Sequence, residues 1–205
     1  FGKQLSEGIK PEEMEWDVIS PSNDPEGFLI ELDAMLDALE SFPSIVVWVP
    51  FNEAWGQHDT DHILTHVMER DPSRLVDGPS GWTDTGTGHM RDHHLYQDAE
   101  KLPAHEDGRA TVYGEFGGIS LFIDGHVMVD KGWGYTKTET AEDLRASYSE
   151  LLGNIADLIP DGLAGVIYTQ TTDVESETNG LLTYDRNYKI DPEVLRSINT
   201  QIFDH

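Results

Sequence analysis

Short apolar runs alternate along this chain with stretches of helical period, and that alternation restricts the available folds more than any other feature. Residues 44–51 read Ser-Ile-Val-Val-Trp-Val-Pro-Phe, a continuous apolar and β-branched run that fits a strand covered on both faces. Before it, Asp24 and Pro25 supply an N-cap and a first-turn proline. Phe28, Leu32, Met35, Leu36 and Leu39 then recur at three- and four-residue spacing, marking one buried helix face that Pro43 terminates.

The pattern repeats downstream. A helix is expected near 61–69, with strands at 73–76, 92–96 and 110–113. A long loop rich in glycine and aromatics covers about 118–137. Thr140 and Asp143 form a capping-box-like start, with Asp where Glu is usual. The helix that follows lines up Leu144, Tyr148, Leu151, Leu152, Ile155 and Leu158. Next come a strand at 163–169, a polar loop at 171–180, and a helix opened by Asp191 and Pro192 with Val194, Leu195, Ile198 and Ile202 inward. Strands alternating with helices imply right-handed βαβ units and a parallel sheet.

About five such strands can form an open doubly wound sheet or part of a barrel. Neither G-x-G-x-x-G nor G-x-x-x-x-G-K occurs, which turns the reading from a nucleotide-binding open sheet toward a (β/α) barrel. At 205 residues the chain is short of the ~250 that a complete eight-stranded barrel needs, so the expectation is a partial TIM barrel.

Thirteen Lys and Arg against 39 Asp and Glu leave a formal charge of −26. Such a surface repels nucleic-acid backbone and anionic membrane, and neither is expected as a partner. Scattered carboxylates of this number also fit adaptation to high salt. There is no cysteine, which excludes disulfides, thiolate zinc sites and thiol nucleophiles. No apolar run approaches the ~18 residues of a membrane span. The chain opens Phe1-Gly2-Lys3 with neither initiator Met nor signal peptide, which leaves its location open, cytoplasmic or secreted.

Two runs end in an acid. One is Trp48-Val-Pro-Phe-Asn52-Glu53; the other is Tyr113-Gly114-Glu115-Phe116-Gly117-Gly118, whose glycines allow close approach of backbone or ligand. In parallel α/β folds, side chains at the carboxyl ends of strands face the ligand. Two carboxyls so placed are what glycoside hydrolysis needs: one protonates the leaving oxygen, the other attacks the anomeric carbon or activates water. A separation of ~5–5.5 Å gives retention and ~6.5–9.5 Å inversion. Trp55, Trp82, Tyr96 and Trp133 are candidates to stack on sugar faces, with Trp133 foremost; Trp48 is read as core.

Residues 43–57, carrying Trp48, Asn52 and Glu53, resemble the segment around the acid/base of family 2 glycoside hydrolases, which include β-galactosidases, β-glucuronidases and β-mannosidases. Residues 114–118 are similar to that family's nucleophile segment. Residues 74–77, 80–82, 168–175, 179–181 and 183–186 resemble later barrel segments of bacterial, β-galactosidase-like members. The resemblance runs from about residue 24 onward. It implies that Glu53 ends strand four as general acid and then base, and that Glu115 ends strand seven as nucleophile. It further implies that Asn52 holds the substrate 2-hydroxyl, and that His94 contacts a substrate hydroxyl. Residues 1–205 would be the C-terminal portion of the catalytic barrel, about strands four to eight. Residues 1–23 would be an irregular lead-in, with sandwich domains and the first strands preceding it. The partners it implies are a carbohydrate substrate and either the rest of the barrel or a second copy. The chemistry needs no cofactor.

Other readings stay open. A truncated barrel could bind carbohydrate without turning it over. His58 and His62 are spaced i, i+4, and His89, Asp92, His93 and His94 add donors, so a metal-dependent hydrolase is conceivable. However, no Glu follows His58, which breaks the zincin pattern, and the acidic loop 173–177 lacks an EF-hand spacing. Gly-x-Ser-x-Gly is absent, which weakens a serine hydrolase.

Overall fold

The computed structural model describes residues 24–53, 56–78, 80–81, 83–96, 102 and 107–203; the lead-in 1–23 and the candidates Trp55 and Trp82 lie outside the described residues. The fold is mixed α/β, with helices alternating with strands that include parallel pairs. Two compact units divide the chain: one drawn from Phe1–His94 and Asp107–Val112, the other from Leu95–Glu106 and Tyr113–His205.

In the first unit, helix α1 (Pro25–Leu39) starts as expected, with Asp24 Oδ1 accepting from the Gly27 amide at 2.9 Å. Leu32 and Leu36 are buried, and Phe28 and Leu39 pack half-buried on the same core. Met35, expected inward, is 40% exposed. It stands about 100° around the helix from Leu36, at the margin of the apolar stripe.

Strand β1 is only Val47–Trp48, shorter than the expected 44–51, and pairs in parallel with β2 (Leu75–Val76). Around this pair the amides of Leu75, Asp77 and Ser80 donate to the carbonyls of Val46, Trp48 and Phe51, both segments stepping by two and then by three. The longer step spans Pro50, which has no N–H to give to the ladder. Helix α2 (Thr60–Arg70) buries Ile63, Leu64 and Val67 against Trp48, Phe51, Val76 and α1.

The turn after α2 is held by Asp71. Its carboxylate accepts from Trp48 Nε1 at 2.8 Å, Ser73 Oγ at 2.5 Å and Arg74 Nη1 at 2.6 Å. Arg74 also donates to the carbonyls of Glu40, Phe42 and Ile45, tying the end of α1 to β2.

Strand β3 (Met90–Leu95) alternates, with Met90, Asp92 and His94 buried. A strand that turns an acid and an imidazole inward is not building an ordinary core. It is hydrogen-bonded to β4 (Ala110–Gly117), whose first residues belong to this unit.

In the second unit, the later residues of β4 neighbour β7 (Leu163–Thr169), the strand bounds expected from sequence. The expected loop 118–137 contains two further strands, β5 (Ile119–Leu121) and β6 (Thr136–Thr138), paired in parallel. Three residues each, one reading Thr-Lys-Thr, are too few and too polar for periodicity to register.

Helix α3 (Ala141–Leu158) has the capping box, with Asp143 N donating to Thr140 Oγ1 and Thr140 N to Asp143 Oδ2, each at 3.1 Å. Its face of Leu144, Tyr148, Leu152, Ile155 and Leu158 is buried with Tyr113, Phe116 and Leu163. Helix α4 (Pro192–Thr200) adds Leu195 and Ile198. The polar loop is anchored from beneath by Lys189, fully buried, which donates to Asp173 Oδ1 at 2.7 Å and to the carbonyls of Leu121 and Thr178 at 2.9 Å. No described helix is long and apolar enough to cross a membrane.

Candidate active site

Just past β1, the chain turns out of the core and presents Asn52 exposed and Glu53 with a side chain 10% exposed. Glu53 Oε2 lies 2.5 Å from Nδ1 of His94, in an approach not aligned as a hydrogen bond. On the far side of the ring, Nε2 is 2.7 Å from Ser80 Oγ and 3.3 Å from Asp92 Oδ2. Ser80 Oγ donates to Asp92 Oδ2 at 2.8 Å. Gly81 makes this packing possible. It has φ +92°, and a Cβ there would meet Glu53 Cβ at 2.8 Å and His94 Nδ1 at 3.0 Å.

The second acid, Glu115, lies inside β4 rather than at the end of a strand closing at 113. The Tyr96 phenol donates to Glu115 Oε2 at 2.5 Å, and Thr169 Oγ1 stands 3.5 Å from the same oxygen. The Tyr96 ring stacks on Tyr135, 3.4 Å between centroids and 5° from parallel. Trp133 meets Tyr135 edge-on at 5.5 Å and is 39% exposed. Gly118, at φ +65°, gives Tyr135 its place; a Cβ there would lie 2.4 Å from Tyr135 Cδ2. Beyond this row, Gln170 Nε2 donates to Glu177 Oε2 and Asn179 Oδ1, both at 2.9 Å.

Within each unit the structure therefore gathers part of the expected set: Glu53 with His94 in one, and Glu115 with Tyr96 in the other, where Trp133 joins the row through Tyr135. Trp48 is core, as read from sequence, 5% exposed and bonded to Asp71. The ring of His94 is wholly buried. His58 does not share a helix with His62, because α2 begins at Thr60. Its ring packs edge-on against Phe28 and Phe51, with Nδ1 2.8 Å from the Gly56 carbonyl. Sequence reasoning missed Thr169 beside Glu115 and Tyr135 against Tyr96. Only the aromatic and glycine run 131–135 hinted at the second.

No known family profile matches the chain, and no curated protein matches it either. Solved structures do. A beta-glucuronidase from an uncultured Clostridium sp. is 10% identical, with a TM-score of 0.57 over 87% of this chain and 35% of that one. Ruminococcus gnavus beta-glucuronidase in complex with uronic isofagomine is 13% identical, with a TM-score of 0.54 over 87% and 34%. A further structure of Ruminococcus gnavus beta-glucuronidase is 12% identical, with a TM-score of 0.52 over 87% and 35%. The likeness is one of fold, and the chain spans about a third of the length of those proteins.

Proposed function

We propose that this chain is the C-terminal part of a glycoside hydrolase barrel and carries the two catalytic acids of a retaining β-glycosidase of family 2 type. The observation that carries the reading is Glu115 on β4, held by the Tyr96 phenol at 2.5 Å beside the Tyr135 and Trp133 rings. A carboxylate fixed by a phenol next to an aromatic row suits attack on a sugar whose C–H face lies on those rings. The fold shared with beta-glucuronidases supports the assignment.

In this reading Glu115 attacks the anomeric carbon while Glu53 gives its proton to the departing oxygen. A glycosyl ester forms on Glu115 and the glycosidic bond breaks. Glu53, now a carboxylate, takes a proton from water as that water attacks the anomeric carbon, and the ester bond to Glu115 breaks. Asn52, exposed beside Glu53, holds the 2-hydroxyl. His94 acts from behind Glu53. Trp133 and Trp82 border the sugar, and Tyr96 orients the nucleophile. The substrate is a β-linked terminal sugar, galactoside-like by sequence resemblance and glucuronide by structural likeness.

Hydrolysis of p-nitrophenyl β-galactoside, β-glucuronide and β-mannoside by the protein, followed by NMR of the first-formed anomer, tests the proposal. Retention with one sugar is the expected result. Glu115→Gln should lower kcat by about 10⁴-fold or more, and Glu53→Gln by about 10²–10⁴-fold. Net inversion, or turnover that survives Glu115→Gln, would overturn it.

A further inference from the structure

Contacts around Glu115 run in a closed circuit, and one member of it has no part in the double displacement. Tyr96 donates to the Glu115 carboxylate and stacks on Tyr135, which meets Trp133 edge-on. Trp133 is bridged in parallel to Glu177: its amide donates to the Ser176 carbonyl and its carbonyl accepts from the Thr178 amide, both at 2.9 Å. Such a bridge makes the two residues neighbours across strands ~4.8 Å apart. Glu177 Oε2 accepts from Gln170 Nε2 at 2.9 Å. Thr169, the residue before Gln170, closes the circuit at Glu115 Oε2, 3.5 Å away. Trp133 is exposed and the other members are half-buried, so a ligand can reach this surface.

The unused member is Glu177. Asn179, fully buried, donates to the same Oε2 at 3.3 Å, while its own Oδ1 accepts from Gln170 Nε2 at 2.9 Å. Two amide N–H groups on one carboxyl oxygen are the pattern of an ionised acid held in a fixed direction. The backing is held as well. Lys189 donates to the Thr178 carbonyl from beneath, and Thr178 Oγ1 lies 2.7 Å from Ser120 Oγ. We propose that Glu177 is a specificity-determining residue, which accepts from the hydroxyls of an uncharged hexopyranoside lying on Trp133 and excludes a uronic acid. An ionised carboxylate only accepts hydrogen bonds, so it suits a polyol and repels a second carboxylate. None of the residues in the circuit is basic, and Lys189 is fully buried and committed to Asp173 and two carbonyls. A uronate on this wall would face Glu115 and Glu177 with no member of the circuit to neutralise it. The placement of the sugar rests on the reading of Glu115 as nucleophile.

The test is calorimetric titration of the protein with two probes that resist cleavage, p-nitrophenyl 1-thio-β-galactoside and p-nitrophenyl 1-thio-β-glucuronide. The parent should bind the thiogalactoside about 10-fold or more tighter than the thioglucuronide. Glu177→Gln keeps an oxygen that can accept from Gln170 and Asn179 and removes the charge, so it should shrink that ratio by about 10-fold. Glu177→Asp keeps the charge but withdraws it by one methylene. It should weaken the thiogalactoside by about 10-fold while still rejecting the thioglucuronide, and it carries the test if Glu177→Gln does not fold. Trp133→Ala should weaken the thiogalactoside, which places the probe on this wall. A parent that binds both probes equally, or neither, overturns the proposal. So does a ratio unmoved in Glu177→Gln, or thiogalactoside binding unchanged in Glu177→Asp or Trp133→Ala. The expected shift in a protein that cleaves no glycoside upholds the role of Glu177 and rejects the hydrolase reading. Retaining turnover with an unmoved ratio does the reverse, so the two failures are told apart.

Discussion

Tyr96 gives its phenol hydrogen to Glu115 Oε2 at 2.5 Å while its ring lies flat on Tyr135, so one side chain serves both the carboxylate and the aromatic row. Tyr96→Phe separates these duties by keeping the stack and removing the bond. A hydrogen bond to a charged group contributes about 1.5–3 kcal/mol. The variant should therefore lower kcat by about 10- to 100-fold on any glycoside the protein cleaves, in a protein that still folds by circular dichroism. An unchanged kcat would show that the bond does not order the nucleophile.

Asp71 gathers Trp48, Ser73 and Arg74 at the end of α2. These partners, Ser73 and Trp48 foremost, hold its carboxyl well below the usual carboxylate range. A depressed folded value means stability present above the unfolded value of about 3.9 and lost as pH falls through the folded one. Asp71→Ala should lower stability at pH 7 by about 1–3 kcal/mol and flatten the loss of stability below pH 4. Urea melts at pH 7 and pH 3 read both effects; parallel curves for variant and parent would refute the assignment.

Lys189 and Asp173 form an ion pair whose side chains are 0% and 2% exposed. Removing one member of such a pair strands the other charge and costs about 3–5 kcal/mol. Lys189→Met should destabilise by that order, and adding Asp173→Asn should recover a large part of the loss. A double variant no better than the single one would mean that the bonds to Leu121 and Thr178 dominate instead.

A net charge of −26 on 205 residues implies self-repulsion that salt relieves. The Debye length shrinks from about 30 Å at 0.01 M to about 3 Å at 1 M. The melting temperature should rise steadily across that range in sodium chloride. A flat response would place the charges too far apart to matter and remove the case for salt adaptation.

The elements most legible in the sequence were those whose cause is local. The caps at Asp24, Thr140 and Asp191 and the stripe on α3 need only a few neighbouring residues, and each stands where expected. Strand β7 was legible because it is a seven-residue apolar run with clear ends. β1 was overextended because the effect of Pro50 on pairing shows only once its partner is known. β5 and β6 were invisible because parallel pairing of three-residue segments is decided by tertiary contacts.

The site was half legible in the same sense. Glu53 and Glu115 stand out because an acid following an apolar run breaks a pattern. Tyr135 and Lys189 do not, since their importance lies in what folds against them from distant parts of the chain. Asp92 and His94 did show as polar residues on a strand, His94 as a substrate contact by resemblance and both as donors in a metal reading, but not as neighbours of Ser80.

Gly118 leaves the second site with a particular genetic exposure. The Tyr135 ring occupies the volume that any β-carbon at this position would fill. Every first- or second-base change in a glycine codon either introduces such a carbon or ends the chain. The aromatic row beside Glu115 is thus one nucleotide from disruption, while the third base of that codon can drift freely.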